Sequence, residues 1–185
     1  MSTPDSSVPA HYRDCTRTLL RYAVVATIVA LLSGVLFQES SKKLSYADAA
    51  PGLRLESLLS LALVHGHVFL VAVLIPIAMA SALFLARKVG GAELSSRTLH
   101  WLTRGYLPFA ALTVALMLYK GYHVLLAVRH GARDLDAVDA SFFGGNALVR
   151  HSIYGTAHTA MAVSLGVFAI ALWRSLARGG AAARG

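Results

Sequence analysis

Four long apolar runs separated by short polar stretches set the pattern of this chain: about 19–38, 58–86, 104–128 and 148–173. A helix needs roughly 20 residues to cross ~30 Å of hydrocarbon, so each run predicts a membrane-spanning helix. The second and fourth exceed that minimum and should tilt or project, and Pro76, midway along the second, should kink it by removing one backbone donor. Eighteen mostly polar residues precede the first run. With Arg13, Arg17 and Arg21 they resemble the start of a signal peptide, but no clear small-x-small cleavage site follows, so the first run reads as a retained helix. The expectation is an all-α fold, an integral membrane four-helix bundle over 19–178. A cytoplasmic N-terminal segment 1–18 precedes it and a low-complexity, disordered tail 179–185 follows. No internal repeat and no second domain is visible.

Composition agrees. Of 185 residues 56% are apolar and 14% charged, and mean hydropathy is +0.60; soluble domains carry about a quarter charged residues. A formal charge of +8 would suggest nucleic acid in a soluble protein. Here Lys and Arg sit at the ends of the apolar runs, where they set topology, and no nucleic-acid partner is expected. Arg13, Arg17, Arg21, Arg87, Lys88, Arg97, Arg104, Arg174, Arg178 and Arg184 fall on one side. Lys42, Lys43, Arg54, Arg129, Arg133 and Arg150 fall on the other, diluted by Glu39, Asp48, Glu56, Asp134, Asp136 and Asp139. The bias places both termini in the cytoplasm and the loops around Pro51 and Asp136 outside. In the second outer loop, Phe142-Phe143-Gly144-Gly145 is expected to dip into the membrane interface.

The single cysteine, Cys15, excludes an intramolecular disulfide and any zinc site built on several thiolates. Eight histidines make imidazole the available site chemistry. In the inferred topology His65 and His67 lie ~10 and ~14 Å below the outer boundary, His123 ~8 Å, His151 ~5 Å and His158 ~15 Å. Five histidines from three helices thus share one leaflet, where ionisable groups are costly and usually face the bundle interior. His151, Tyr154 and His158 recur at i, i+3, i+7, and Lys120 and His123 at i, i+3. His65 and His67 differ by about 200° around the helix, so they cannot close on one metal. Lys120 lies about eight residues inside the third run, where it should snorkel outward or neutralise a buried anion such as a haem propionate.

The competing reading of each histidine is an interhelical hydrogen bond, with nearby Gly66 and Gly155 as packing devices. For five together that reading weakens, because such bonds are more naturally made by Ser, Thr and Asn. The cores of runs two to four contain no Asp or Glu, which fits metal ligation and disfavours a carboxylate proton pump. An all-imidazole apolar site suits haem iron or copper; calcium and magnesium want oxygen ligands. Haem is favoured by shape, with axial histidines from helices two and four and with Arg54, Arg129 and Arg150 near the propionates. No Cys-x-x-Cys-His occurs, so attachment would be non-covalent.

The segment Leu63-Val64-His65-Gly66-His67-Val68-Phe69-Leu70 resembles the His-x-His helix in the catalytic subunit of haem-copper oxidases and nitric oxide reductases, whose twelve helices form three arcs of four. Here too the motif lies on the second of four helices. The chain is also similar to small bacterial membrane proteins that pair a His-x-His helix with a later Gly-x-x-His helix, here Gly155-Thr156-Ala157-His158. The resemblance implies that His65 and His67 are axial-ligand candidates for distinct haems, with His158 the best opposing ligand. It also implies a bacterial cytoplasmic (inner) membrane location and association of protomers into a homo-oligomer. No copper-ligating His-His pair and no His-Tyr cross-link pattern is present, so oxygen reduction and proton pumping do not carry over.

Three functions compete. The first is a membrane cytochrome binding haem b, one or two per protomer or shared between protomers, in electron transfer or small redox chemistry with quinol or a small gas as partner. The second is a copper-binding or copper-transfer protein using His65, His67, His123, His151 and Met117. The third is a non-redox assembly or structural subunit whose histidines bond between helices.

Overall fold

The computed structural model describes residues 8–44 and 49–182. Among them there is no strand, and four helices are long and apolar enough to cross a membrane: Ala10–Ser41, Pro51–Lys88, Ser96–Arg129 and Ala147–Arg178. Contacts at the two ends show an up-and-down order. His11 reaches Leu94, and Ala92 bonds Ser175, at the end carrying both termini. Ser40 reaches Tyr122, and Lys120 reaches Asp139, at the distal end. The short helix Leu135–Ala140, capped by the Asp134 side chain on the Ala137 N–H, lies at the distal end.

The first helix begins nine residues before its apolar run because its polar start is already amphipathic. Tyr12, Cys15 and Leu19 are buried at helical spacing, while Arg13 and Arg17 face outward. Farther along, Ala23, Ala26, Ala30 and Ser33 point inward and Val24, Val25, Ile28, Leu31 and Leu32 are exposed. Small residues inside and branched ones outside suit a helix packed among helices in lipid, where close backbone approach drives association. The same logic governs Gly121 on the third helix. A Cβ there would stand 2.6 Å from a Leu61 methyl and 3.3 Å from the Leu61 backbone nitrogen.

Pro76 does not break the second helix. Over Val68–Leu74 the helix widens to a π register, in which the Ile75 N–H bonds the carbonyl of Leu70 five residues back. The wider turn absorbs the donor that proline lacks. Pro108 is treated the same way by a π segment, Leu102–Tyr106, that the hydropathy pattern does not reveal. The fourth helix runs to Ala182, so the tail expected to be disordered from 179 is helical up to there; 183–185 lie outside the described residues.

The first and second helices pack along their length, as do the third and fourth, whereas the third meets the second mainly through the latter's Pro51–Leu74 portion. The fourth helix meets the second mainly through its Ile75–Lys88 portion, toward the terminal end. There Met79 and Leu83 share a cluster with Phe168. Toward the distal end the second and fourth helices diverge, each packed against the third.

Candidate functional site

Every histidine on the second and fourth helices has its Nδ1 tied to a backbone carbonyl. His65 donates to Ala30 at 2.9 Å, His67 to Leu63 at 3.1 Å, His151 to Ala147 at 2.7 Å and His158 to Tyr154 at 2.9 Å. A carbonyl only accepts, so Nδ1 carries the proton in each case. In the neutral ring, Nε2 then holds the lone pair. Nε2 of His67, His151 and His158 has no hydrogen-bond partner among the described residues. A ring fixed by Nδ1–H to a carbonyl, with Nε2 presented outward, is the usual state of a metal-ligating imidazole.

The four differ in direction. His65 is half-buried in the seam between the first two helices, edge-on to Phe69 at 4.9 Å, and a Cβ at Gly34 would stand 3.1 Å from its Nδ1. His67 is exposed, as its ~200° separation from His65 requires. His151 and His158 are also exposed. The inward positions are filled by Leu58, Leu61, Val64 and Val68 on the second helix and by Ala157, Ser164 and Phe168 on the fourth. The deep histidines therefore do not all converge on one interior. Among the described residues, no group of three or more His, Cys, Asp or Glu side chains stands ready for an ion.

Of the histidines that present Nε2 outward, His67 lies nearer in level to His158 than to His151, whereas His65 and His151 lie closer still. Leu61 against Gly121 and the Tyr154 hydroxyl on the Leu116 carbonyl, 3.3 Å, tie the helices in register. Counting 1.5 Å per residue from these ties puts His67 and His158 within about one helical turn of each other. Met161, one turn beyond His158 on the same side, packs against the cluster holding Val64, Val68 and Val71. The same cluster holds Val114 of the third helix, and Tyr154, seven residues before Met161, bonds the third helix, so this side of the fourth helix faces the third and borders the cluster. Gly66 and Gly155, beside these histidines, border open space: a Cβ added at either would meet nothing within 4 Å. His151, seven residues before His158 and so about 20° from it around the helix, opens on a groove of about 610 Å³ between the third and fourth helices, with Trp101, Phe109, Gly155 and Thr156.

His123, Lys120, Arg150 and Tyr154 belong to a separate distal cluster. Lys120 Nζ stands 2.5 Å from one Asp139 carboxylate oxygen and Arg150 3.0 Å from the other, and Arg150 also donates to the Asp139 backbone carbonyl. The anion that Lys120 neutralises is therefore the chain's own. Ser141 gives its proton to the Val138 carbonyl, so its oxygen accepts from His123 Nε2 at 3.2 Å. His123 thus has the opposite tautomer, with Nε2 engaged. Phe142 is buried against His123 and Tyr119. Phe143 and Gly144 take left-handed backbone angles, φ 53° and 69°, that turn the chain toward the fourth helix. Arg54 donates from Nε to the Leu44 carbonyl.

Asp139 and Ser141 carry no mark as site residues in the sequence pattern, since a loop carboxylate and a loop hydroxyl have no periodicity. Comparison with family models, curated proteins and solved structures finds no match to this chain. Its function therefore rests on its own residues.

Proposed function

We propose that this chain is a membrane-embedded b-type cytochrome, acting in electron transfer, in which His67 and His158 hold haem b between the diverging halves of the second and fourth helices. The observation that carries the reading is the pair of imidazoles within about one helical turn of each other, with Nδ1 committed to carbonyls and Nε2 free. The residues fit the group: two neutral nitrogen donors, glycines beside both, and apolar surroundings suited to a macrocycle. When bound, haem supplies one-electron redox chemistry at iron.

The chain's own contribution is orientation. Leu63 and Tyr154 carbonyls hold the rings in the ligating tautomer and raise their basicity. Helices that pack tightly at Met79, Leu83 and Phe168 keep the opposite halves apart. His65 serves the seam between the first two helices, and Lys120 and Arg150 hold Asp139 rather than propionates. The three exposed imidazoles also leave room for a haem shared with a second protomer, in keeping with a homo-oligomer.

The Lys and Arg distribution supports cytoplasmic termini in a bacterial inner membrane, with the histidines in the outer leaflet, where quinol or a small gas could meet the site. The test is an optical spectrum of detergent-purified protein, oxidised and dithionite-reduced, with a pyridine haemochrome assay. A Soret band and a redox-sensitive α band are expected. Copper without haem selects the copper-binding reading, and neither metal selects a structural subunit.

A further inference from the structure

At the terminal end a groove of about 480 Å³ separates the start of the first helix from the start of the third. His11, Asp14 and Thr18 line one wall, and His100, Thr103 and Arg104 the other. Both sets follow helical spacing, so each wall is one continuous helix face. The apolar run of the first helix starts at Leu19, next to Thr18, and the exposed indole of Trp101 follows His100. Indoles favour the headgroup level, which puts the groove at the boundary between water and hydrocarbon.

His11 faces the Glu93 carboxylate at 3.1 Å, but the arginines here are unpaired. Arg104 is exposed and makes no hydrogen bond or ion pair among the described residues. Arg21, also exposed and without such a partner, lies three residues after Thr18 and seven after Asp14, on the same face of the first helix and one turn deeper. Guanidinium groups beside hydrocarbon are costly unless an anion meets them. Asp14 makes no ion pair with either arginine. In the lining itself Arg104 stands against Asp14; Arg21, one turn deeper, adds a second unpaired guanidinium, and Glu93 is engaged by His11, so the arginines of this face outnumber its free carboxylate. The Thr18 and Thr103 hydroxyls give their protons to main-chain carbonyls, Thr18 to Asp14 and Thr103 to Leu99 or His100. Their oxygens, like the Asp14 carboxylate, are therefore acceptors. Val25 and Ile28 continue the Thr18 face as exposed apolar surface.

We infer that this groove binds the headgroup of an anionic phospholipid of the phosphatidylglycerol type. Arg104 and Arg21 take the phosphodiester, Asp14 and the threonine oxygens accept from the glycerol hydroxyls, and the acyl chains lie along Val25 and Ile28. The shared chemistry, phosphate on arginine, would also suit free phosphate. The excess of guanidinium groups favours an anionic lipid over a zwitterionic one, and the apolar continuation favours a lipid over a free ion. The inference does not depend on haem.

The test uses the full chain with Trp101→Phe, Trp173→Phe and Val25→Trp, which leaves one indole on the face where the acyl chains would lie, and titrates it in detergent with brominated phosphatidylglycerol, phosphatidylethanolamine and phosphatidylcholine. Quenching of that indole should show phosphatidylglycerol binding about tenfold tighter than the other two, the worth of one charge-assisted contact. Arg104→Gln and Arg21→Gln should each reduce that preference about tenfold, whereas Arg129→Gln at the distal end should not. Arg104→Lys, which keeps the charge, should retain most of it and separates charge from misfolding. Equal quenching by all three lipids, or an unchanged preference in both Gln variants, would overturn the inference. So would full competition by inorganic phosphate at the concentration of the lipid, which would assign the groove to a free anion.

Discussion

The Tyr106 hydroxyl donates to the Val71 carbonyl at 2.7 Å, across the contact between the third and second helices. Val71 lies in the π segment, where the donor five residues on would be Pro76, which has none. A fully buried tyrosine thus satisfies the carbonyl that the proline leaves open. Tyr106→Phe keeps the ring and removes only the donor. It should lower stability by about 1–2 kcal/mol, measured as a lower midpoint of unfolding in mixed micelles. An unchanged midpoint would mean that the widened turn satisfies Val71 by itself.

Asp139 joins two helices through Lys120 and Arg150, so its removal should release the loop rather than the cofactor. Asp139→Asn and Lys120→Met are both expected to raise proteolysis within 131–146 severalfold, on the order of 1 kcal/mol of local stability for partly exposed pairs. Neither should change the optical spectrum. A lost Soret band in Lys120→Met would instead return the lysine to a propionate.

The two histidines of the His-x-His motif should behave differently, because one is packed in a seam and the other presents Nε2 outward. His67→Ala and His158→Ala should each convert a six-coordinate low-spin spectrum to high-spin or abolish haem retention, as no thiolate or carboxylate stands in reach to substitute. His65→Ala should keep the low-spin spectrum and lower stability by about 1 kcal/mol through the lost bond to Ala30. If all three variants retain the parent haem-to-protein ratio and spectrum, the cytochrome reading fails.

Topology is open to a direct check. Asp136 is exposed in the distal loop, and Cys15 is buried. With Cys15→Ser in the background, Asp136→Cys should react with an impermeant maleimide added to intact cells. Reaction only after the cells are opened would place the histidine-bearing ends on the cytoplasmic side.

Much of the architecture is legible without coordinates, because hydropathy is a property of each residue that sums along the chain. Four spans, their approximate limits and the disturbance at Pro76 follow from counting, as does the opposition of His65 and His67. The start of the first helix at Ala10 is also present in the spacing of Tyr12, Cys15 and Leu19, but apolar length hides it. Direction and pairing are different quantities. Whether an embedded histidine faces a neighbour or opens outward depends on where helices approach closely, and that is decided by contacts such as Gly121 on Leu61 and Gly34 on His65. Asp139 could be placed between Lys120 and Arg150 only once the loop had folded back on two helices, and Tyr106 could be paired with Val71 only once both π segments existed. The amino-acid order determined which side chains lie at membrane depth; tertiary packing decided what each of them meets, since a one-dimensional pattern carries no term for a neighbour distant along the chain.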